Sequence, residues 1–181
     1  MWAAWGIWRL EKRVLDSRDS ISLYKASLEA TPQSTTLLFD LGAVLEQNGD
    51  LMQAAAYYEQ TLDLNPHYER AITGLGNVDL RLGATGQAKR AYERALTINP
   101  DDVTALVNYG AALQQLGDFA DAKQQEEKAI SINPTDPNAY INLAVDLFRL
   151  GSVDAAVENL LQAIELKPSR TPAYFDLAAF I

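Results

Sequence analysis

The chain of 181 residues is 48% hydrophobic and 22% charged, which is enough apolar material for a packed core and too little charge bias for disorder. It has no cysteine and a single histidine, His67, which excludes disulfide staples, thiolate metal sites and a histidine cluster. Its 15 basic and 24 acidic side chains leave a net charge of -9, a surface that repels phosphate backbones, and no run of about 18 apolar residues is present to cross a bilayer as a helix, so neither nucleic acid nor a spanning segment is expected.

Residues 1–34 open on Trp2, Trp5 and Trp8, spaced three apart, with Arg9, Lys12 and Arg13 close behind. Two readings fit this start. One is a degenerate first helix packed on the next segment, because aromatic stripes at helical spacing are usually core. The other is a membrane-proximal or interfacial helix over residues 1–13, because Trp with flanking Lys and Arg collects at the headgroup level. Its charges follow the apolar residues, unlike those of a secretory signal peptide. The expected location is cytoplasmic, at the cytoplasmic face of a membrane if the start is an anchor.

From residue 35 onward the sequence keeps a clock. In residues 35–68, Leu38, Leu41, Gly42 and Leu45 fall at helical spacing, Gly49 interrupts, Ala54, Tyr58, Thr61 and Leu62 resume it, and Asn65-Pro66 stops it. Amphipathic helices are predicted on both sides of the glycine. Gly49 is placed to take the left-handed conformation that ends a helix, and Pro66 pushes Asn65 out of the helical region. The same punctuation recurs in residues 69–102, 103–136 and 137–170. Gly83, Gly117 and Gly151 follow Gly49, and Pro32, Pro66, Pro100, Pro134 and Pro168 mark the other phase, each 34 residues from the last. Residues 171–181 hold one more first helix, ending on Tyr174, Phe175, Phe180 and Ile181. Such a bare apolar end is expected to continue into further chain, or to dock on a partner or a second copy, because helical arrays need a polar cap.

Ile72, Leu75, Gly76, Ala88, Tyr92, Ala95 and Pro100 carry a resemblance to the tetratricopeptide repeat family, whose 34-residue helix-turn-helix unit has a large apolar residue, Leu and Gly or Ala in its first helix, then Ala, an aromatic, Ala and Pro in its second. The resemblance implies an all-α fold, an α-solenoid in which antiparallel helix pairs stack as a right-handed superhelix. It covers a degenerate first repeat at 1–34, full repeats at 35–68, 69–102, 103–136 and 137–170, and a partial one at 171–181. Two positions depart from it. Asp79 stands where other repeats place Leu45, Leu113 and Leu147, and Glu126 stands where they place Tyr58, Tyr92 and Leu160. Both are expected to reach solvent at a helix edge, since a buried unpaired carboxylate is costly, and the sharper reading is that they meet a basic partner.

The resemblance further implies that first helices line a concave groove for a polypeptide. Carried over position by position, the groove includes Phe39, Asp40, Arg70, Thr73, Asn77, Arg81, Asn108, Asn138, Asn142 and Arg149. Asn108 and Asn142 occupy one position in successive repeats, a short row that resembles the asparagine ladder of protein O-linked N-acetylglucosamine transferases, where amides hydrogen-bond a peptide backbone; the other reading is that these amides only solvate the groove. Family members that clamp a chaperone's terminal carboxylate use two asparagines and three cations. Here Asn77 and Asn108 match, but Thr73, Asn138 and Asn142 replace the cations, so tail binding of that kind is not expected.

No nucleophile with its base, metal cluster or phosphate loop is evident, and no cofactor or metal is expected. Gly74-Leu75-Gly76 is followed by Asp79 rather than a phosphate-loop pattern, and His67 lacks a companion ligand. The sequence therefore reads as a non-catalytic scaffold that binds an extended peptide or partner subunit in its groove. Two narrower alternatives remain open: an assembly or structural subunit of a membrane-associated complex, and the repeat arm of a larger enzyme such as a glycosyltransferase. Trp2, Trp5, Trp8, Tyr174, Phe175 and Phe180 are the candidate contacts to a membrane, a partner or a second copy.

Overall fold

The structure is a computed structural model that describes residues 20–168. Among the described residues there are only helices and turns. Residues 20–30 form α1, followed by α2 (Thr35–Asn48), α3 (Leu51–Leu64), α4 (Glu69–Arg81), α5 (Thr85–Ile98), α6 (Val103–Leu116), α7 (Phe119–Ile132), α8 (Pro137–Arg149) and α9 (Val153–Leu166). The chain divides after Leu82 into two compact units. The division falls inside the 69–102 repeat, between its two helices.

The turns obey the punctuation. At Gly49, Gly117 and Gly151 the backbone is left-handed, with φ of 90°, 85° and 84°, and the six-to-one and five-to-two bonds of a Schellman motif close the helix. Asp50 N–H donates to Leu45 O at 2.9 Å and Gly49 N–H to Glu46 O at 3.0 Å. At the other turn, Asn65, Asn99 and Asn133 are extended, at φ −138°, −129° and −129°, as the proline after each requires. The asparagine has its own part. Asn65 Oδ1 accepts from His67 N–H at 3.1 Å and Asn133 Oδ1 from Thr135 N–H at 3.1 Å, so the side chain holds the residue beyond the proline. The next helix then starts on a cap, as where Asp102 Oδ1 accepts from Thr104 N–H and Asp136 Oδ1 from Asn138 N–H, both at 2.9 Å.

In the first unit, α2 packs on α3, α3 on α4, and the first helices α2 and α4 lie side by side. Leu41, Leu45, Ala54, Tyr58 and Val78 form its core, all at most 1% exposed. In the second unit α5 through α9 pack in chain order, and the first helices α6 and α8 also touch. Leu106, Val107, Ala129 and Ala139 form one core layer there, and Leu143, Leu147, Ala156 and Leu160 belong to the next. Each large aliphatic side chain so buried contributes roughly 1.5–3 kcal/mol. Alanines at the crossing points are fully buried, which brings second-helix backbones close to their neighbours.

Candidate functional site

Each unit sets two first helices beside one another, and the predicted groove residues lie on these. In the first unit, Phe39 is 6% exposed. Its ring lies 5.7 Å from that of Tyr58 and 5.4 Å from that of Tyr68, and the Arg70 guanidinium sits 4.3 Å above it. Phe39 and Arg70 are thus brought together as a stacked pair. Thr73 is 5% exposed and donates its hydroxyl to Glu69 Oε1 at 3.4 Å. Arg81 Nη1 donates to Glu46 O at 2.7 Å, tying α4 to the last turn of α2. Asp40 and Asn77 are half-buried.

One aromatic anchors this unit. The Tyr58 ring fills the space between Gly42 and Gly74, where an added Cβ would stand 2.8 Å and 2.6 Å from ring carbons. Its hydroxyl donates to Glu46 Oε2 at 2.7 Å. Burial first, and then the bond to Glu46, push the Tyr58 pKa upward, so the phenol stays neutral.

In the second unit Asn108, Asn138 and Asn142 are half-buried and Arg149 is exposed. The Arg149 guanidinium lies 5.6 Å from the Phe119 ring centre. Asn138 Nδ2 donates to Asp136 Oδ1 at 2.9 Å, which holds that amide to the helix cap. Asn142 reaches inward. Its Nδ2 donates to Glu126 Oε1 at 3.1 Å and to Val107 O at 3.5 Å. Glu126 is fully buried, which corrects the expectation that it reaches solvent; Asp79 is half-buried. The physical reason is that Glu126 lies between α6 and α8, over Gly110, where an added Cβ would stand 2.9 Å from Glu126 Cδ. Among the described residues no cation acts on it there.

A second acid lies nearby. Asp146 is also fully buried, and its Oδ1 accepts from Gln114 Nε2 at 2.8 Å, which also donates to Asn142 O at 2.9 Å. Glu126 Oε2 and Asp146 Oδ2 are buried without hydrogen-bond partners. Burial, countered by the Asn142 bond and reinforced by Asp146 and Asp136, pushes the Glu126 pKa up to about 9. Burial, countered by the Gln114 bond, pushes the Asp146 pKa up to about 7. Two half-buried amides and two buried acids thus form a polar cluster across α6, α7 and α8.

Comparison with known proteins fixes the family. The model of the middle TPR-like domain of cilia and flagella-associated protein 70 matches residues 38–139, and that of the tetratricopeptide repeat matches residues 137–170. The chain belongs to the tetratricopeptide repeat family. No curated protein matches its sequence. Solved structures share the fold. MamA aligns at TM-score 0.75 and 25% identity, covering 87% of this chain and 92% of that one. A thermophilic TPR protein of Thermus thermophilus aligns at 0.76 and 18%, covering 94% of each. In the APC/C hetero-tetramer Cut9-Hcn1 the alignment reaches 0.85 at 17% identity, over 91% of this chain and 33% of that one. The fold is therefore an all-α helical repeat solenoid.

The repeat register shows what the sequence reading missed. Asp146 stands 34 residues after Ala112, itself 34 after Val78, and both of those are buried apolar residues. A carboxylate at that register position was the available signal. Gln114 gave none, being half-buried and polar. The Trp2, Trp5 and Trp8 stripe and Tyr174, Phe175 and Phe180 lie outside the described residues. No described helix is long and apolar enough to cross a membrane.

Proposed function

We propose that this tetratricopeptide repeat protein is a non-catalytic scaffold that binds an extended segment of a partner protein along its first helices. The observation that carries the reading is the pairing of first helices, α2 with α4 and α6 with α8, which gathers half-buried amides and exposed cations on neighbouring helices. Asn108 on α6 and Asn138 on α8 are half-buried, and Arg149 is exposed. Amides that donate and accept together suit a peptide backbone, which offers both groups at every residue. Residues 35–68 carry five acidic and no basic side chains, which favours a basic or polar partner segment on that repeat. The readings as a membrane-complex subunit or an enzyme's repeat arm rest on the chain ends and on sequence beyond them, and no described residue favours either.

The test is selection of binding peptides from a displayed random library with the full chain, followed by affinity measurement on variants. Asn108→Ala and Arg149→Ala are expected to weaken selected peptides about tenfold or more, since truncating a contact at a binding centre costs about 1–2 kcal/mol or more. Exposed second-helix changes such as Gln124→Ala and Glu127→Ala should leave affinity unchanged. Peptides that respond only to the second-helix changes would overturn the groove assignment.

A further inference from the structure

Glu126 and Asp146 have no role in the proposed groove contacts, and their surroundings are unusual for carboxylates. Both are fully buried. Each has one oxygen bonded to a neutral amide and one oxygen without a partner. An ionised carboxylate in that setting lacks the partner charge that would offset its lost hydration. The groups facing them supply none. From α6 come Gly110 and Gln114, and α6 carries no charged residue. From α8 and its cap come Asn142, Asp136 and Asp146, the two acids pushing the Glu126 pKa further up. The cations of α7 are engaged elsewhere, Lys123 with Glu127 at 3.5 Å and Lys128 with Asp101 at 3.4 Å, while Arg149 of α8 sits against Phe119. Of the two flanking helices, α9 carries only acids, Asp154, Glu158 and Glu165, all exposed, and α5 carries Lys89, Arg90 and Arg94, none of which acts on either buried acid.

We propose that Glu126 and Asp146 form a proton-held clasp between the 103–136 and 137–170 repeats, in which α6, α7 and α8 stay packed through the neutral carboxyls and loosen when these ionise at rising pH. The direction follows from linkage. Both folded pKa values lie above the ordinary 4.5 and 3.8, at about 9 and about 7, so the folded state keeps protons that the unfolded chain has shed. The stabilisation is complete below about pH 4. It falls as pH rises, with the Asp146 share exhausted near 7 and the Glu126 share near 9. Each retained proton lowers the folding constant by up to about tenfold per pH unit. The device is specific to this junction. In the first unit the equivalent position holds Tyr58, a phenol that stays neutral throughout this range.

Ordinary carboxyls complete their titration well below pH 6, so carboxyl titration above it reports on this pair. Hydrogen-exchange protection factors of the full chain, corrected for intrinsic exchange, are expected to fall at least tenfold in α7 and α8 from pH 6 to 9, while those in α2 and α3 hold. Glu126→Gln with Asp146→Asn, which mimic the neutral acids, should flatten the profile and exceed the natural chain in protection at pH 9. Should the variants fold poorly, carboxyl carbon NMR of the natural chain gives a separate reading, with one Glu and one Asp resonance titrating above pH 6. A flat α7–α8 profile in the natural chain, or carboxyl resonances that all titrate below pH 5.5, overturns the proposal.

Discussion

Two glycine-to-alanine substitutions should move stability in opposite directions. Alanine is the better helix residue by about 0.5–1 kcal/mol, because glycine loses more backbone freedom on folding. Gly86 is exposed in the first turn of α5, and an added Cβ there meets nothing within 4 Å. Gly86→Ala should therefore stabilise by about that amount. At Gly74 the added Cβ would stand 2.6 Å from Tyr58 Cε2 and Cζ, about 1 Å inside the usual carbon contact of roughly 3.5–4 Å. The ring cannot swing aside, because its hydroxyl is bonded to Glu46 and its other edge lies on Gly42. Overpacking of this kind costs about 1–3 kcal/mol, so after the helix gain Gly74→Ala should destabilise by about 1–2 kcal/mol. Urea unfolding followed by helical circular dichroism compares the pair, with hydrogen exchange in α3 and α4 locating the loss, since repeat arrays can open in parts. In a Tyr58→Leu background the Gly74→Ala penalty should largely vanish. Equal shifts for the two variants, or a penalty that survives in Tyr58→Leu, would refute the account of Tyr58 as the wedge.

Two further outcomes follow from named contacts. Gly117→Ala places a side chain at φ 85° and should cost about 1–2 kcal/mol in thermal or urea unfolding, with Gly117→Asn milder because asparagine tolerates the left-handed region. Asn142 holds a predicted groove position, but its amide serves buried Glu126; Asn142→Ala should therefore destabilise by about 1–3 kcal/mol, a loss that Glu126→Leu in the same chain should partly restore.

The period made most of the fold legible. Positive φ at Gly49, Gly83, Gly117 and Gly151 and the extended asparagines before proline follow from local sterics, which travel with the residue wherever it sits. The exposure of the proposed groove positions was less legible, because it depends on neighbours the register does not name. Phe39 and Thr73 hold predicted groove positions, yet Tyr68 and Arg70 cover Phe39 and Glu69 bonds Thr73. Glu126 was singled out correctly and placed wrongly for the same reason. Burial at its position is set by α6 and α8, which enclose whatever stands there.

The enclosure also explains how the chain tolerates an acid in a tyrosine's place. In the first unit Tyr58 lies over Gly74, 16 residues on, and the ring needs the bare backbone that glycine leaves. In the second unit the residue 16 after Glu126 is Asn142. The shorter side chain gives up the ring's volume, and the amide enters to donate to Oε1. The dependence runs one way. Tyr92 keeps an aromatic ring although the residue 16 beyond it is also an asparagine, Asn108, so the amide does not demand the acid. A buried carboxyl, by contrast, demands a donor for each oxygen it cannot hydrate. Glu126 and Asp146 receive one donor each, and holding a proton is the remaining way to keep each carboxyl at low cost in place.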